Sequence, residues 1–323
     1  MRALTVDLAR AGSLSLEEVP DPVPLPGELL VAGVAVGICG TDREIVRGEF
    51  GVGRRLVIGH ESLGRVVSGP GFEPGTLVAG VVRRPDPVPC VACARGEFDM
   101  CRNGLYTERG ITGLDGYASG LWTVPAEYAV AVSSFAGVLV EPASVVVKAW
   151  ERLDRLAAFP FDSVLVTGAG PIGLLAALIG VQRGLDVHVF DVASSGPKPD
   201  LVTSLGATYH RTLPDLPVVI EATGAPSVVA AVLGRELVCL TGVPSPEVVP
   251  VDVGQINRDL VLRNGIVFGT VNSNPRHYRE ASAVLDRADP AWLSSLITRR
   301  VPLERFGEAF ESRPGDVKVV LEL

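Results

Sequence analysis

Lysine is almost missing from this chain, with three residues against 26 arginines. No long basic run occurs, and the formal net charge is −8. Nucleic-acid binding needs clustered Lys and Arg to neutralise phosphates, so that class of partner is excluded. Charge of either sign is also modest, at 20% of residues against 47% hydrophobic ones. Intrinsic disorder needs the opposite balance. Asn and Gln together number only seven, so thermolabile amides are scarce, which fits heat tolerance, although a GC-rich genome gives the same arginine bias. The N-terminal stretch MRALTVDLARAGSLSLEE carries charges throughout and has no apolar core of the secretory type. A cytoplasmic setting is therefore the expectation. Repeats, heptads and low-complexity tracts are missing as well.

One long uncharged run is present. It covers Ser163 to Gln182, SVLVTGAGPIGLLAALIGVQ, and its 20 residues would suffice to span a bilayer. Its first third is strand-like, however, and Gly168, Gly170, Pro171 and Gly173 follow as a strand-to-helix turn. No membrane partner is expected.

The length of 323 residues suggests about two domains. Up to about residue 140, short apolar segments (RALTVD, LLVAGVAVGIC, GRVVSG, TLVAGVV, EYAVAV) alternate with Gly and Pro punctuation, the pattern of a β-rich barrel or sandwich. EPASVVVKAWERLDR, from Glu141 to Arg155, reads as a helix opened by Pro142. From Ser163 onward strands and helices alternate: SVLVTG, PIGLLAALIGVQRG, VHVFD, KPDLVTSLG, PVVIEATG, APSVVAAVLG, ELVCLTGV, then LVLRNGIVFGTV with another strand. That order predicts parallel βαβ units. HYREASAVLDRA reads as a helix and the tail VKVVLEL as a strand.

Gly168-Ala169-Gly170-Pro171-Ile172-Gly173 follows a strand, opens an apolar helix, and precedes a strand ending at Asp191, 18 residues beyond Gly173. This is the dinucleotide fingerprint. Gly168 permits the turn, Gly170 lets the backbone approach the pyrophosphate, and Gly173 lets helix and strand pack closely. Free N–H groups at the helix start attract the phosphates. A carboxylate at Asp191 accepts hydrogen bonds from ribose hydroxyls and repels a 2′-phosphate. No Arg or Lys follows it before Lys198. NAD is the expected cofactor, with NADP possible.

Five cysteines in a chain without a secretory signal point to metal or chemistry. Cys39 and His60-Glu61 lie about twenty residues apart on expected strand ends. Thiolate, imidazole and carboxylate suit Zn²⁺, and three protein ligands leave a position for substrate. Glu141 is a fourth candidate. Cys90, Cys93 and Cys101 fall within twelve residues and form a second metal candidate that lacks one ligand. Asp86 could supply it, with Asp99 as competitor. Cys239, in Leu237-Val238-Cys239-Leu240, reads as a buried small hydrophobe.

Taken in order, Cys39-Gly40-Thr41-Asp42, Gly59-His60-Glu61, the cysteine lobe and the glycine turn resemble the zinc-dependent medium-chain alcohol dehydrogenases. CGTDREIVRGEFG (39–51), VVRRP (81–85), GEFDMC (96–101), LVEPASVVVKA (139–149) and GTVNSNPRHY (269–278) are similar to the glucose 1-dehydrogenase branch. The resemblance implies an α/β fold, with a GroES-like β-rich catalytic domain over 1–144 and 275–323 and a doubly wound Rossmann domain over 145–274. It implies that Cys39, His60 and Glu61 hold the catalytic zinc, and that Glu141 approaches the zinc or its water and the sugar. Thr41 matches the hydroxyl that begins proton release. Glu44 stands where many alcohol dehydrogenases have a relay histidine. Asn272 matches an amide near substrate and nicotinamide, and Thr223 falls at the cofactor. Cys90, Cys93 and Cys101 match the last three of four structural-zinc cysteines. A homodimer or homotetramer is implied.

The sequence departs from the branch in four places. Pro87 falls at the first lobe cysteine. Gly120 replaces a sugar-binding Glu, and Leu262 falls near a substrate-contacting His. Asp191 replaces an Asn-Arg-Arg type of segment that favours NADP. The expected reaction is zinc-assisted oxidation of an aldose at C1 to a lactone with NAD. Lost polar contacts leave another polyol or secondary alcohol open as substrate. A zinc-lacking quinone oxidoreductase or a nucleotide-binding regulator is the remaining alternative.

Overall fold

The computed structural model describes residues 1–50, 53–243 and 247–323, so Gly51, the last residue of one branch-like segment, lies outside it. The chain divides into two compact units, Met1–Ser144 with Asn272–Leu323, and Val145–Val271. Asn272, Ser273 and Asn274, assigned above to the Rossmann segment, pack with the first unit instead. There the Asn272 amide donates to Glu108 Oε1 at 2.6 Å and Asn274 donates to Asp99 Oδ1 at 3.0 Å.

The first unit is built around the long strand Glu28–Ile38. Along one side it pairs with Glu61–Ser68. On its other side, the first half pairs with Leu121–Pro125 and the second half with Lys318–Glu322. Register shifts at Leu30/Val31 and Gly33/Ala35 let one strand serve these partners, because an extra residue bends and twists it. Gly33 sits at one of these irregularities, where an added Cβ would lie 2.2 Å from the Ser119 carbonyl oxygen. Inward residues of these strands, including Leu29, Val31, Val36, Trp122, Val124 and Leu321, form the core with Leu4, Ile58 and Tyr117.

The second unit is a parallel sheet of six strands. Their spatial order is Thr208–His210, Asp186–Phe190, Ser163–Thr167, Val218–Glu221, Leu237–Leu240 and Ile266–Gly269. This is the doubly wound order of a dinucleotide-binding fold: all strands run parallel, and the order in which they are added switches sides between the Ser163 and Val218 strands. The central strands Ser163–Thr167, Val218–Glu221 and Leu237–Leu240 are buried almost without alternation, since both faces of a parallel sheet are covered there. Helix Pro171–Gln182 is buried from Gly173 to Gly180. The uncharged run is therefore a strand and helix inside this unit. Among the described residues no helix is long and apolar enough to cross a membrane.

Two elements differ from the sequence expectation. The strand expected within LVLRNGIVFGTV is Ile266–Gly269, but helix Val253–Arg263 before it has no counterpart in the sequence expectation, and none of its residues is buried. Gly40–Val46, anticipated only as a motif, is a short helix capped at Cys39.

Candidate metal centres and dinucleotide site

Strand pairing builds the first metal candidate. Gly37 stands opposite Glu61, and Ile38 opposite Val319. The end of one strand therefore delivers Cys39 beside His60 and Glu61 at the start of the second and Lys318 at the start of the third. One ligand atom from each of Cys39, His60 and Glu61 lies within 4.8 Å of the others. His60 and Glu61 are buried, and Cys39 is partly exposed. Gly37 is required here, because a Cβ on it would meet Glu61 Oε2 at 1.9 Å.

Two further residues complete this cluster, and sequence reasoning assigned neither of them a role. Asp42, fully buried, receives the Cys39 backbone N–H on Oδ2 at 2.8 Å. Its Oδ1 lies 3.2 Å from His60 Nδ1. A carboxylate on that side of an imidazole fixes the ring and leaves the other nitrogen for a metal. Burial alone would lower the His60 pKa, but the Asp42 carboxylate outweighs it and holds the group well above its ordinary value. Lys318 is 2% exposed, and its Nζ donates to Glu61 Oε1 at 2.6 Å. The ammonium also lies 2.5 Å from Oε2, so this buried pair anchors the whole carboxylate. Replacing Lys318 by Met leaves the Glu61 charge uncompensated and should cost about 3–5 kcal/mol in metal-free protein. Urea unfolding with and without a chelator measures this, and zinc should recover part of the loss.

Thr41 and Glu44 both lie on helix Gly40–Val46. Glu141 opens helix Val140–Leu156. Burial pushes its carboxyl up to about 7 against the pull of His60, with Glu61 adding to the push. The donor set fits zinc: a soft thiolate, an imidazole oriented from behind, and a carboxylate.

The second cluster is the cysteine lobe. Cys90, Cys93 and Cys101 bring their sulfurs within 4.8 Å of one another. Cys90 Sγ and Cys93 Sγ are 3.6 Å apart. The Arg102 backbone N–H donates to Cys90 Sγ and, with the Cys93 N–H, lowers the Cys90 thiol to about 6. Asp86 Oδ2 lies 3.9 Å from Cys101 Sγ, while its Oδ1 accepts the Val88 N–H. The competing Asp99 is held by Asn274. Cys239 is buried, and burial raises its thiol to about 12.

The glycine turn in the second unit has the shape a dinucleotide needs. Gly168 has φ +91°, and a Cβ there would lie 2.9 Å from Thr223 Cγ2. At Gly170 a Cβ would point into open space, which leaves the backbone approachable. Gly173 approaches so closely that a Cβ would meet the Gly168 carbonyl oxygen at 1.7 Å. Helix Pro171–Gln182 has Gly170 as its N-cap and no side-chain cap, so its first N–H groups are open to phosphate. Asp191 Oδ2 accepts the Ala169 N–H at 2.8 Å, tying the second strand to the turn. The Thr223 hydroxyl is engaged within the protein, donating to Glu221 and accepting from the Ala225 N–H.

Comparison with known proteins decides the family. A family model for the alcohol dehydrogenase GroES-like domain matches residues 25–134, and one for the glucose dehydrogenase C-terminus matches residues 134–323. The chain belongs to the glucose dehydrogenase family of the zinc-dependent alcohol dehydrogenases. Glucose 1-dehydrogenase of Thermoproteus tenax is 39% identical over all of this chain and 99% of the relative. That of Methanocella arvoryzae is 36% identical over 100% and 99%. Glucose dehydrogenase of Haloferax mediterranei, solved in complex with NADP, zinc and gluconolactone, superposes with a TM-score of 0.90 at 32% identity, covering 100% of this chain and 99% of its own. Like its family, the chain is an oxidoreductase with a GroES-like domain and a parallel-sheet Rossmann domain.

Proposed function

We propose that this dehydrogenase oxidises C1 of a glucose-like aldose to the lactone and passes the hydride to NAD, with NADP accepted. The observation that carries the reading is the convergence of Cys39, His60 and Glu61, backed by Asp42. A zinc ion held by these residues would act as a Lewis acid on the sugar hydroxyl. Asp42 keeps the imbedded imidazole in its ligating orientation, and Lys318 fixes Glu61. Thr41 takes the hydroxyl proton toward solvent as the C1–H hydride leaves, with Glu44 on the same helix. Glu141, held near neutrality by burial, contacts the sugar or the water beside it. In the other unit the turn Gly168, Gly170, Pro171, Ile172 and Gly173 binds the pyrophosphate, Asp191 the adenosine ribose, and Thr223 lines the turn. Asn272 serves the substrate through its remaining hydrogen-bonding capacity, since its amide also holds Glu108.

The lobe sulfurs support a structural zinc with Asp86 as fourth ligand. Asp86→Ala should then lose the lobe's metal while keeping the other, as elemental analysis of purified protein would record. Five free cysteines suit a reducing, cytoplasmic setting. A homodimer or homotetramer is favoured by the edge strand Ile266–Gly269 and by the exposed Val261 and Leu262 on the helix that precedes it in the chain. Steady-state rates with aldoses, polyols and simple alcohols test the substrate: glucose-like aldoses should lead, and a clear preference for a simple secondary alcohol overturns the reading.

A further inference from the structure

Lys198 lies seven residues beyond Asp191, and the linear spacing takes it out of reach of the ribose-binding acid. The fold returns it. After Asp191 the chain turns through Gly196, at φ +96°, and helix Pro197–Ser204 places Lys198 in its first turn. Lys198 Nζ then lies 3.0 Å from Asp191 Oδ2. That same oxygen accepts the Ala169 N–H of the glycine turn, and Oδ1 accepts the Ala193 N–H at 2.9 Å. The Tyr209 hydroxyl pins the loop by donating to the Ala193 carbonyl at 2.6 Å, with the Asp191 carbonyl 3.3 Å away. The Asp191 side chain is 8% exposed and that of Lys198 30%. The carboxylate is thus fixed from three sides, while the ammonium on its flexible stem keeps part of its surface open to solvent.

We propose that Lys198 is the specificity-determining residue that admits NADP, by transferring its ammonium from Asp191 toward the ribose 2′-phosphate. The inference rests on the dinucleotide reading and deepens it. With NAD, the Asp191–Lys198 pair stays closed and the ribose hydroxyls donate to the carboxylate's free lone pairs. With NADP, a doubly charged phosphate arrives beside a carboxylate, an arrangement that is repulsive without a cation. An ammonium has three donors in different directions, so it can face both anions at once. Asp191 keeps its two backbone N–H partners throughout and has no need to move.

Fluorescence titration with NADPH and NADH, without sugar, tests this on the wild type, Lys198→Ala and Lys198→Arg. Lys198→Ala should weaken NADPH roughly ten- to hundredfold, the worth of a charge-assisted hydrogen bond, and NADH less than about twofold. Lys198→Arg should keep most NADPH binding. Adenosine 2′,5′-bisphosphate should compete far less well against Lys198→Ala than against wild type, and 5′-AMP equally well against both. Unchanged NADPH binding, or equal weakening of both dinucleotides in Lys198→Ala and again in Lys198→Gln, overturns the proposal. Failure of the wild type to bind either dinucleotide overturns it together with the reading beneath it. Failure to oxidise glucose counts against the substrate alone, because the titration contains none.

Discussion

Cys39→Ser is expected to cut turnover about 10³-fold or more while dinucleotide binding stays within about twofold of wild type. Removing a Lewis acid from a developing alkoxide forfeits several kcal/mol, and each 1.4 kcal/mol is about tenfold in rate. A serine hydroxyl is not ionised at neutral pH and is a poor zinc ligand, so His60 and Glu61 are left as an incomplete set. The substitution removes little volume, and Cys39 is partly exposed, so the fold should stand. The dinucleotide residues belong to the other compact unit, so NADH fluorescence separates loss of chemistry from loss of binding. Metal analysis of the variant should show the catalytic zinc missing and the lobe zinc retained. Turnover near the wild-type level would remove Cys39 from the metal site.

Gly173→Ala should have the largest effect in the cofactor unit. The new methyl would lie 1.7 Å from the Gly168 carbonyl oxygen, an atom of backbone that cannot swing away. Helix Pro171–Gln182 and the turn must separate to admit it, which costs about 3 kcal/mol or more. The separation also displaces the helix N–H groups from the pyrophosphate position, so NADH affinity should fall steeply. Gly170→Ala is the control, because its methyl meets nothing within 4 Å of protein. It should leave stability nearly unchanged and weaken dinucleotide binding alone. Chemical denaturation and NADH titration on the two variants distinguish the roles. Equal stability of Gly173→Ala and wild type would contradict the packing account.

These two sites were legible in the sequence for different reasons. The glycine turn is local: its residues are contiguous, and its neighbours are a strand and an apolar helix whose pattern is plain. Cys39, His60 and Glu61 were legible as residue types, but only the Gly37–Glu61 register explains how they meet. Lys318 could not be found this way, since it is 257 residues from Glu61 and reads as one charge in an edge of apolar strand. Asp42 stood in the quoted motif without a role, because its value depends on where His60 folds back. Seven residues of chain separate Lys198 from Asp191, a distance that a loop and a helix turn cancel. Helix Val253–Arg263 does carry Val253, Ile256 and Leu260 at helical spacing, but it buries no residue, and the strand-like run Leu260-Val261-Leu262 at its end masks the pattern. The domain edge moved to Asn272 because Asn272 and Asn274 spend their amides on Glu108 and Asp99.

In the proposed function, zinc on Cys39, His60 and Glu61 drives oxidation of a glucose-like sugar by a nicotinamide dinucleotide. Its most direct test is glucose-dependent reduction of NAD and NADP before chelation, after chelation, and after zinc is restored. Chelation should abolish the activity and zinc should return it, with NADH binding unaffected throughout. Undiminished glucose oxidation by protein shown to be free of zinc would contradict it.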